Sequence, residues 1–415
     1  FYDITKNKER QLTRDGSESI LNGHFGWVYE EEFGSFDSYR WSPDSKKIAF
    51  LQEDQSKVPI FMLFDEMSLY PKFTKIRYPK AGQTNPTMTL FISDVRRGKP
   101  KKINVGVTLD KYFPWMEWSS KDSLVLMKMD RLQKNWNFLN IDAKTGKYSS
   151  GLSESDPNGW VQMHRNYYFL KNGNILWMSE RDGWHHLYIH KKDGSVVKQI
   201  TKGKWEVKKI IDVDEQNKKI YFISNKETVF ENRFYSVNFD GTDLKLLTKE
   251  AGSHSIRMFP KLDGFIDSYS SIDTPMRHLH KDINGNSVSV IKETNKSQFE
   301  AYDWSYPKII QFQSTDGTIS LDGIVTYPPN FKKGSRYPVI VHGYGMPGTQ
   351  IVYNRWGSVW NQYLAQQGYI VFSMDARGMS GRGEEFKNLS YGDMSKYLSK
   401  DTAAGVRHLV DIGVA

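Results

Sequence analysis

The chain reads as mainly β: a β-propeller, incomplete at its N-terminus, leading into the first part of an α/β domain. Three observations carry this expectation. A unit of short alternating strands recurs at offsets of 45 and 47 residues, about the length of one four-stranded propeller blade. The chain carries 12 Trp, 23 Tyr and 23 Phe, and rings in such number suit strands and need burial. After about residue 300 the pattern changes to strand, helix, strand, helix, which suits a largely parallel sheet. The expected division is 1–300 for the propeller and 301–415 for the α/β part.

The repeat is visible residue by residue. Leu187–Thr201 aligns with Phe234–Thr248 at an offset of 47, which places Asp193-Gly194 on Asp240-Gly241. Upstream, Asn174–Ser179 aligns with Lys219–Ser224 at an offset of 45. Phe1–Thr13 is a shorter version of the unit, and Trp41-Ser42-Pro43 recurs loosely at Trp118-Ser119-Ser120. Asp-Gly and Asn-Gly turns suit tight hairpins. One small sheet cannot bury both faces, but sheets stacked radially can. A β-sandwich would also be strand-rich, without a period near 47 that carries the same turn.

In the α/β part, Ile309–Tyr327 reads as two paired strands around Thr315-Asp316-Gly317. Val339-Ile340-Val341 is a short apolar strand, followed by a helical pattern through Trp356, Val359, Trp360, Tyr363 and Leu364. Tyr369–Met374 is a continuous apolar strand. Asp401 is expected to open a helix with Ala403, Val406, Leu409 and Val410 on one face.

Composition removes several functions. There is no Cys in 415 residues, so a disulfide scaffold, a Cys-ligated zinc and a cysteine nucleophile are excluded together. The net charge of +9 is spread along the chain, mostly as Lys pairs at turns, without the focused stripe of a nucleic-acid binder. No apolar run approaches the roughly 18 residues of a membrane-spanning helix. The ten His residues form no His-Glu-x-x-His pattern. His24, His164 and His254 stand isolated, and His185-His186 is expected to pack within a blade. No cofactor and no metal is expected.

Three stretches carry chemistry. The first is Trp27-Val28-Tyr29-Glu30-Glu31-Glu32. The second is Tyr70-Pro71-Lys72, Arg77–Gly82 and Asn85-Pro86. The third is Tyr337–Gln350 together with Asp375–Gly383. Three adjacent carboxylates by themselves read as a solvated face. The alternative is that two of them grip a cation through charge-assisted hydrogen bonds. Tyr344, after the strand Val339-Ile340-Val341, reads either as a half-buried aromatic or as a hydroxyl donor. Asp375–Gly383 reads as scaffold, its turn pinned by ion pairs of Arg377 and Arg382. A phosphate loop would need a lysine and a glycine spacing that this turn lacks.

Taken together, these stretches resemble the serine exopeptidases related to dipeptidyl peptidase IV, within the prolyl oligopeptidase group. The resemblance implies that the α/β part is the start of an α/β-hydrolase domain. It implies that Glu31 and Glu32 hold the ammonium of a peptide with a free N-terminus, with Glu30 structural. It also implies that Tyr344 donates to the oxyanion formed when serine attacks. One departure stands out: Met346 replaces the second glycine of the family's Tyr-Gly-Gly-Pro turn. If that position needs positive φ, Met346 is strained.

The expected activity is release of N-terminal dipeptides with Pro or Ala second. The alternatives are a tripeptidyl-releasing relative and a non-catalytic interaction protein. No Gly-x-Ser-x-Gly elbow is present, and Ser380 follows the wrong strand for one. The chain therefore reads as a fragment that ends before the Ser/Asp/His triad and is inactive alone. Family resemblance further implies a homodimer through the hydrolase domain and a periplasmic or secreted location.

Overall fold

The computed structural model describes residues 1–96 and 98–414; Arg97 and Ala415 lie outside the described residues. The chain divides into two compact units, one of Phe1–Val161 with Lys192–Ser195, the other of Gln162–Lys191 with Val196–Ala415. No helix among the described residues is long and apolar enough to cross a membrane.

The first unit opens on a small hairpin, Tyr2–Asp3 with Lys8–Glu9. Two sheets follow. One runs Ile20–Asn22, Lys47–Asp54, Thr87–Asp94, Lys101–Ile103, with Tyr39–Trp41 also paired to Lys47–Asp54. The other runs Lys111–Tyr112, Ser123–Asp130, Asn135–Asp142, Tyr148–Ser155, with Met116–Ser120 also paired to Ser123–Asp130. The loosely repeated Trp-Ser elements thus occupy equivalent places. Tyr39–Trp41 and Met116–Ser120 each run antiparallel to the long inner strand of their sheet. A separate exposed hairpin, Ile60–Asp65 with Lys72–Arg77, is inserted in the first sheet's connection.

The second unit begins with three consecutive four-stranded antiparallel sheets. They are Tyr168–Phe169 to Val196–Gln199, Val207–Asp214 to Lys245–Leu246, and Ser253–Met258 to Ser287–Glu293. Alternation along each strand explains how they stack. Ile220 and Phe222 face back into a cluster with Leu176, Met178, Leu187 and Ile189 of the preceding sheet. Their neighbours Tyr221 and Ile223 face forward and pack with Phe234 and Phe265. A strand covered on both faces has no polar side to show, so Lys219–Ser224 is buried at every position after Lys219. The N-terminal region is propeller-like, as the period implied.

The repeated glycine has two physical reasons. Gly194, Gly241 and Gly285 all lie at positive φ, 90°, 84° and 85°. Each also abuts the backbone of the preceding sheet. A Cβ on Gly194 would sit 2.8 Å from the Gly151 carbonyl, and one on Gly241 would sit 2.8 Å from that of Ile200. One on Gly285 would collide with the Leu247 carbonyl.

The α/β part builds one mixed sheet. Its sheet has the order Lys308–Gln313, Ser320–Thr326, Ile370–Asp375, Val339–Val341. Only the last pairing is parallel, which corrects the expectation of a largely parallel sheet. A short turn at Gly317 forces the first two strands antiparallel, whereas the helix Val359–Gln366 is the crossover that a parallel pair requires. The final helix spans Ser395–Asp411, starting before the expected Asp401. Asp401 is no cap: it is fully buried as an ion-pair partner of Arg377.

Gly285→Ala should destabilise the second unit by about 2 kcal/mol or more, from left-handed strain plus the lost approach to Leu247. Chemical denaturation checks this, and a loss below about 0.5 kcal/mol would refute the close-approach account.

Candidate functional site

In the first unit, Trp27–Phe33 forms a seven-residue helix. Its inward face is aromatic. Tyr29 and Phe33, one turn apart, are buried. Tyr29 stacks on Phe25 with ring centroids 4.3 Å apart, and Phe33 meets Tyr112 edge-on at 5.2 Å. The Tyr29 hydroxyl accepts the backbone N–H of Phe113 at 3.1 Å. Burial and the nearby Glu53 carboxylate push that phenol well above its ordinary pKa. The helix ends on Gly34 in the left-handed region (φ 56°), with Ser35 N–H returning to the Tyr29 carbonyl at 2.9 Å.

With Tyr29 and Phe33 turned inward, Glu31 and Glu32 are exposed and Glu30 is half-buried. Glu32 accepts a hydrogen bond from the Gln133 amide at 2.7 Å, 101 residues away along the chain. Glu31 has no hydrogen-bond partner among the described residues. Two adjacent carboxylates on one pinned turn, open to solvent, can accept the N–H bonds of an ammonium group. The sequence showed the acids. It gave no sign of Gln133, or of Glu53 beneath the helix, because those residues lie in other strands and carry no local motif.

Tyr344 lies in the second unit, in the loop after Val339–Val341, and is 62% exposed. Its hydroxyl has no hydrogen-bond partner among the described residues, so the donor is available. Positive φ falls on Gly345 (74°) and Gly348 (76°). Met346 is not among the positive-φ residues, so the expected strain at that position is absent. The segment that follows it is tied down at several points. Thr349 accepts from Ser380 N–H at 2.9 Å, and Asp375 accepts from Ile351 N–H at 2.7 Å. Gln350 donates to the Val229 carbonyl at 2.7 Å, and Asn354 donates to Glu231 at 2.7 Å.

The turn Asp375–Gly383 is scaffold, as its composition implied. Arg377 binds Asp401 through Nε and Nη2, the latter at 2.6 Å, reaches Asp316 at 2.7 Å and stacks on Tyr397. Arg382 binds Asp322 at 2.6 Å and Asp375 at 3.1 Å. Burial raises the Asp375 carboxyl, and Arg382 opposes that shift. Both guanidinium groups are already paired with carboxylates, which leaves the phosphate reading without a cation. Gly383 N–H donates to the buried Glu206 at 2.9 Å, and Asn225 donates to the Gly381 carbonyl at 2.9 Å. The turn is thereby held to the sheets of its own unit.

The histidines need one correction. His254, isolated in sequence, is buried against Asp267 at 2.8 Å, and Asp267 also meets the fully buried Lys281 at 3.1 Å. His164 packs against Trp177 and His185. Burial pulls His164 down to about 3 and His185 down to about 4, so both stay neutral.

The sequence profile described as the dipeptidyl peptidase IV N-terminal region matches residues 1–276, and that of the prolyl oligopeptidase family matches residues 356–415. The chain belongs to the dipeptidyl peptidase IV family. It is 29% identical to a probable dipeptidyl-aminopeptidase B of Talaromyces marneffei, over 96% of this chain and 48% of that protein. It is also 29% identical to a dipeptidyl peptidase 4 of Arthroderma otae, over 94% and 53%. The crystal structure of Porphyromonas gingivalis dipeptidyl peptidase 4 matches with a TM-score of 0.92 and 27% identity, over 99% of this chain and 59% of that one. A putative dipeptidyl aminopeptidase IV of Bacteroides ovatus matches with a TM-score of 0.86 and 25% identity, over 100% and 63%. The chain spans about half the length of these curated relatives.

Asp401→Ala should destabilise the second unit by about 3–5 kcal/mol, because it leaves Arg377 buried without its main partner. Denaturation of the variant measures this. A loss below about 1 kcal/mol would show that Arg377 finds another partner or water.

Proposed function

We propose that this chain is the substrate-gripping region and the opening of the catalytic domain of a serine-type dipeptidyl peptidase. Its substrates are peptides with a free N-terminus and Pro or Ala second. The propeller extends over 1–300 and the hydrolase part begins at 301. Glu31 and Glu32 hold the substrate ammonium, and Tyr344 donates to the oxyanion. The Ser/Asp/His triad is supplied by polypeptide that follows this stretch. Pairing of two copies through the hydrolase domain and export to the periplasm belong to the same proposal and rest on family membership alone.

One observation carries the reading: two neighbouring carboxylates stand exposed on a helix whose other face is anchored by Tyr29 and Phe33. The relaxed backbone at Met346 also removes one reason to read the domain as catalytically lapsed.

In the polypeptide that includes the nucleophile elbow, Glu31→Gln or Glu32→Gln should lower kcat/KM on a Gly-Pro reporter. The expected drop is about ten- to hundred-fold, the value of a charge-assisted hydrogen bond. Turnover of a small ester without an amine should change by less than about two-fold. Equal losses on both substrates would rule out the amine grip. Tyr344→Phe should lower kcat on both substrates, by about a hundred-fold or more. An unchanged kcat would remove Tyr344 from the oxyanion site.

A further inference from the structure

The helix that carries the acids is badly equipped to hold its own position. It has seven residues and no side-chain cap at its start. It also places Glu31 and Glu32 in its last turn, where the negative end of the helix dipole disfavours carboxylates. A helix this short does not persist by propensity. A self-capped helix would place a Glu or Gln at its third position, reaching back to the N–H of the residue before the helix. Here that position is Tyr29, already stacked on Phe25 and bonded to Phe113.

Glu53 fills that role from another element. It lies in the strand Lys47–Asp54 and is 1% exposed. Its Oε2 accepts the Gly26 N–H at 2.9 Å, and its Oε1 accepts the Gln55 amide at 2.7 Å. Gln55 is held in turn, because Arg77 donates to its backbone carbonyl at 3.0 Å. The fit at Gly26 is close. A Cβ there would lie 2.8 Å from Glu53 Oε1 and would strike the Gln55 amide. Gly26 in turn accepts from the N–H groups of Tyr29 at 3.1 Å and Glu30 at 3.2 Å. The point at which the helix begins is therefore set by Glu53. A helix turns by a fixed amount per residue, so its starting point sets where residues 31 and 32 project.

We propose that Glu53 is a positioning residue for substrate recognition: its buried carboxylate, braced by Gln55, fixes the helix so that Glu31 and Glu32 converge on one ammonium group. This rests on the amine grip proposed above.

A residue retained for stability alone would be a poor choice here. Burial raises the Glu53 pKa, and so does the charge of Glu30, while His24, the Gln55 amide and the Gly26 N–H oppose the rise. The other ionisable groups nearby are the Tyr29 phenol and the Arg77 guanidinium. With its folded-state pKa above the unfolded value, Glu53 contributes most to stability when protonated, and that contribution is lost as pH rises through the folded pKa. Ionised Glu53 therefore contributes less to stability than protonated Glu53, yet the ionised form accepts the Gly26 N–H most strongly.

The test uses the polypeptide that includes the nucleophile, assayed with a free-amine dipeptidyl reporter and with a small ester that has no amine. Glu53→Gln keeps the shape and removes the charge. It should raise the reporter KM about five-fold at pH 8, with kcat within about two-fold and ester turnover unchanged, while the melting temperature does not fall. Glu53→Leu, which leaves Gly26 N–H without an acceptor, should raise KM about twenty-fold or more. A reporter KM unchanged in Glu53→Gln, with Glu31→Gln still impaired, would overturn the role of Glu53 and leave the amine grip standing. No effect from Glu31→Gln either would overturn both. Equal losses on reporter and ester, with a lower melting temperature, would make Glu53 purely structural and overturn the proposal. Should Glu53→Leu fail to fold, the Glu53→Gln result decides.

Discussion

A seven-residue helix with three consecutive glutamates cannot hold itself in place, and the amine grip proposed for Glu31 and Glu32 depends on how that difficulty is met. Carboxylates in the last turn meet the negative end of the helix dipole, and the helix's length gives it almost no cooperative stability. The fold supplies what the helix lacks. Tyr29 and Phe33 are packed into an aromatic layer with Phe25 and Tyr112. The Tyr29 hydroxyl is bonded to Phe113, and the residue ahead of the helix is bonded to Glu53. With every inward contact taken, the acids face outward with nowhere else to turn. An exposed charge that is also fixed in direction is an effective receptor for an opposite charge, because little order remains to be imposed on binding.

The second unit solves a related problem for Tyr344. Its loop is polar, glycine-rich and exposed, which by itself implies mobility. Hydrogen bonds from Gln350, Ile351 and Asn354 hold the segment that follows, and Ser380 holds Thr349. Two of these partners, Val229 and Glu231, lie in the connection between the strands Lys219–Ser224 and Arg233–Asn238, so the segment is referred to the preceding sheets. A donor that must stabilise developing charge is effective only when it is already in place. The paired guanidiniums of Arg377 and Arg382 serve the same end by keeping the adjoining turn from relaxing.

Much of this was legible beforehand. The offset of 47 residues was readable because each sheet meets the same two demands at its turn, positive φ and close approach to its neighbour, and only glycine meets both. The acids and Tyr344 were legible because they sit in short local motifs. The direction of the hydrolase strands was less so. A motif shows that a strand exists, but loop length and crossover decide its partner.

By itself, the order of residues determined the family and the repeating sheets, and it singled out Glu31, Glu32 and Tyr344 as candidates, because each is written within a few neighbouring positions. Only tertiary structure decided that Glu53 would lie beneath Gly26, that Gln133 would reach Glu32, and that Asp401 would neutralise Arg377 instead of starting a helix. Those contacts join positions from 24 to 101 residues apart. Burial turns the contacts of Glu53 and Asp401 from weak polar encounters into strong ones, and burial is a property of the whole fold.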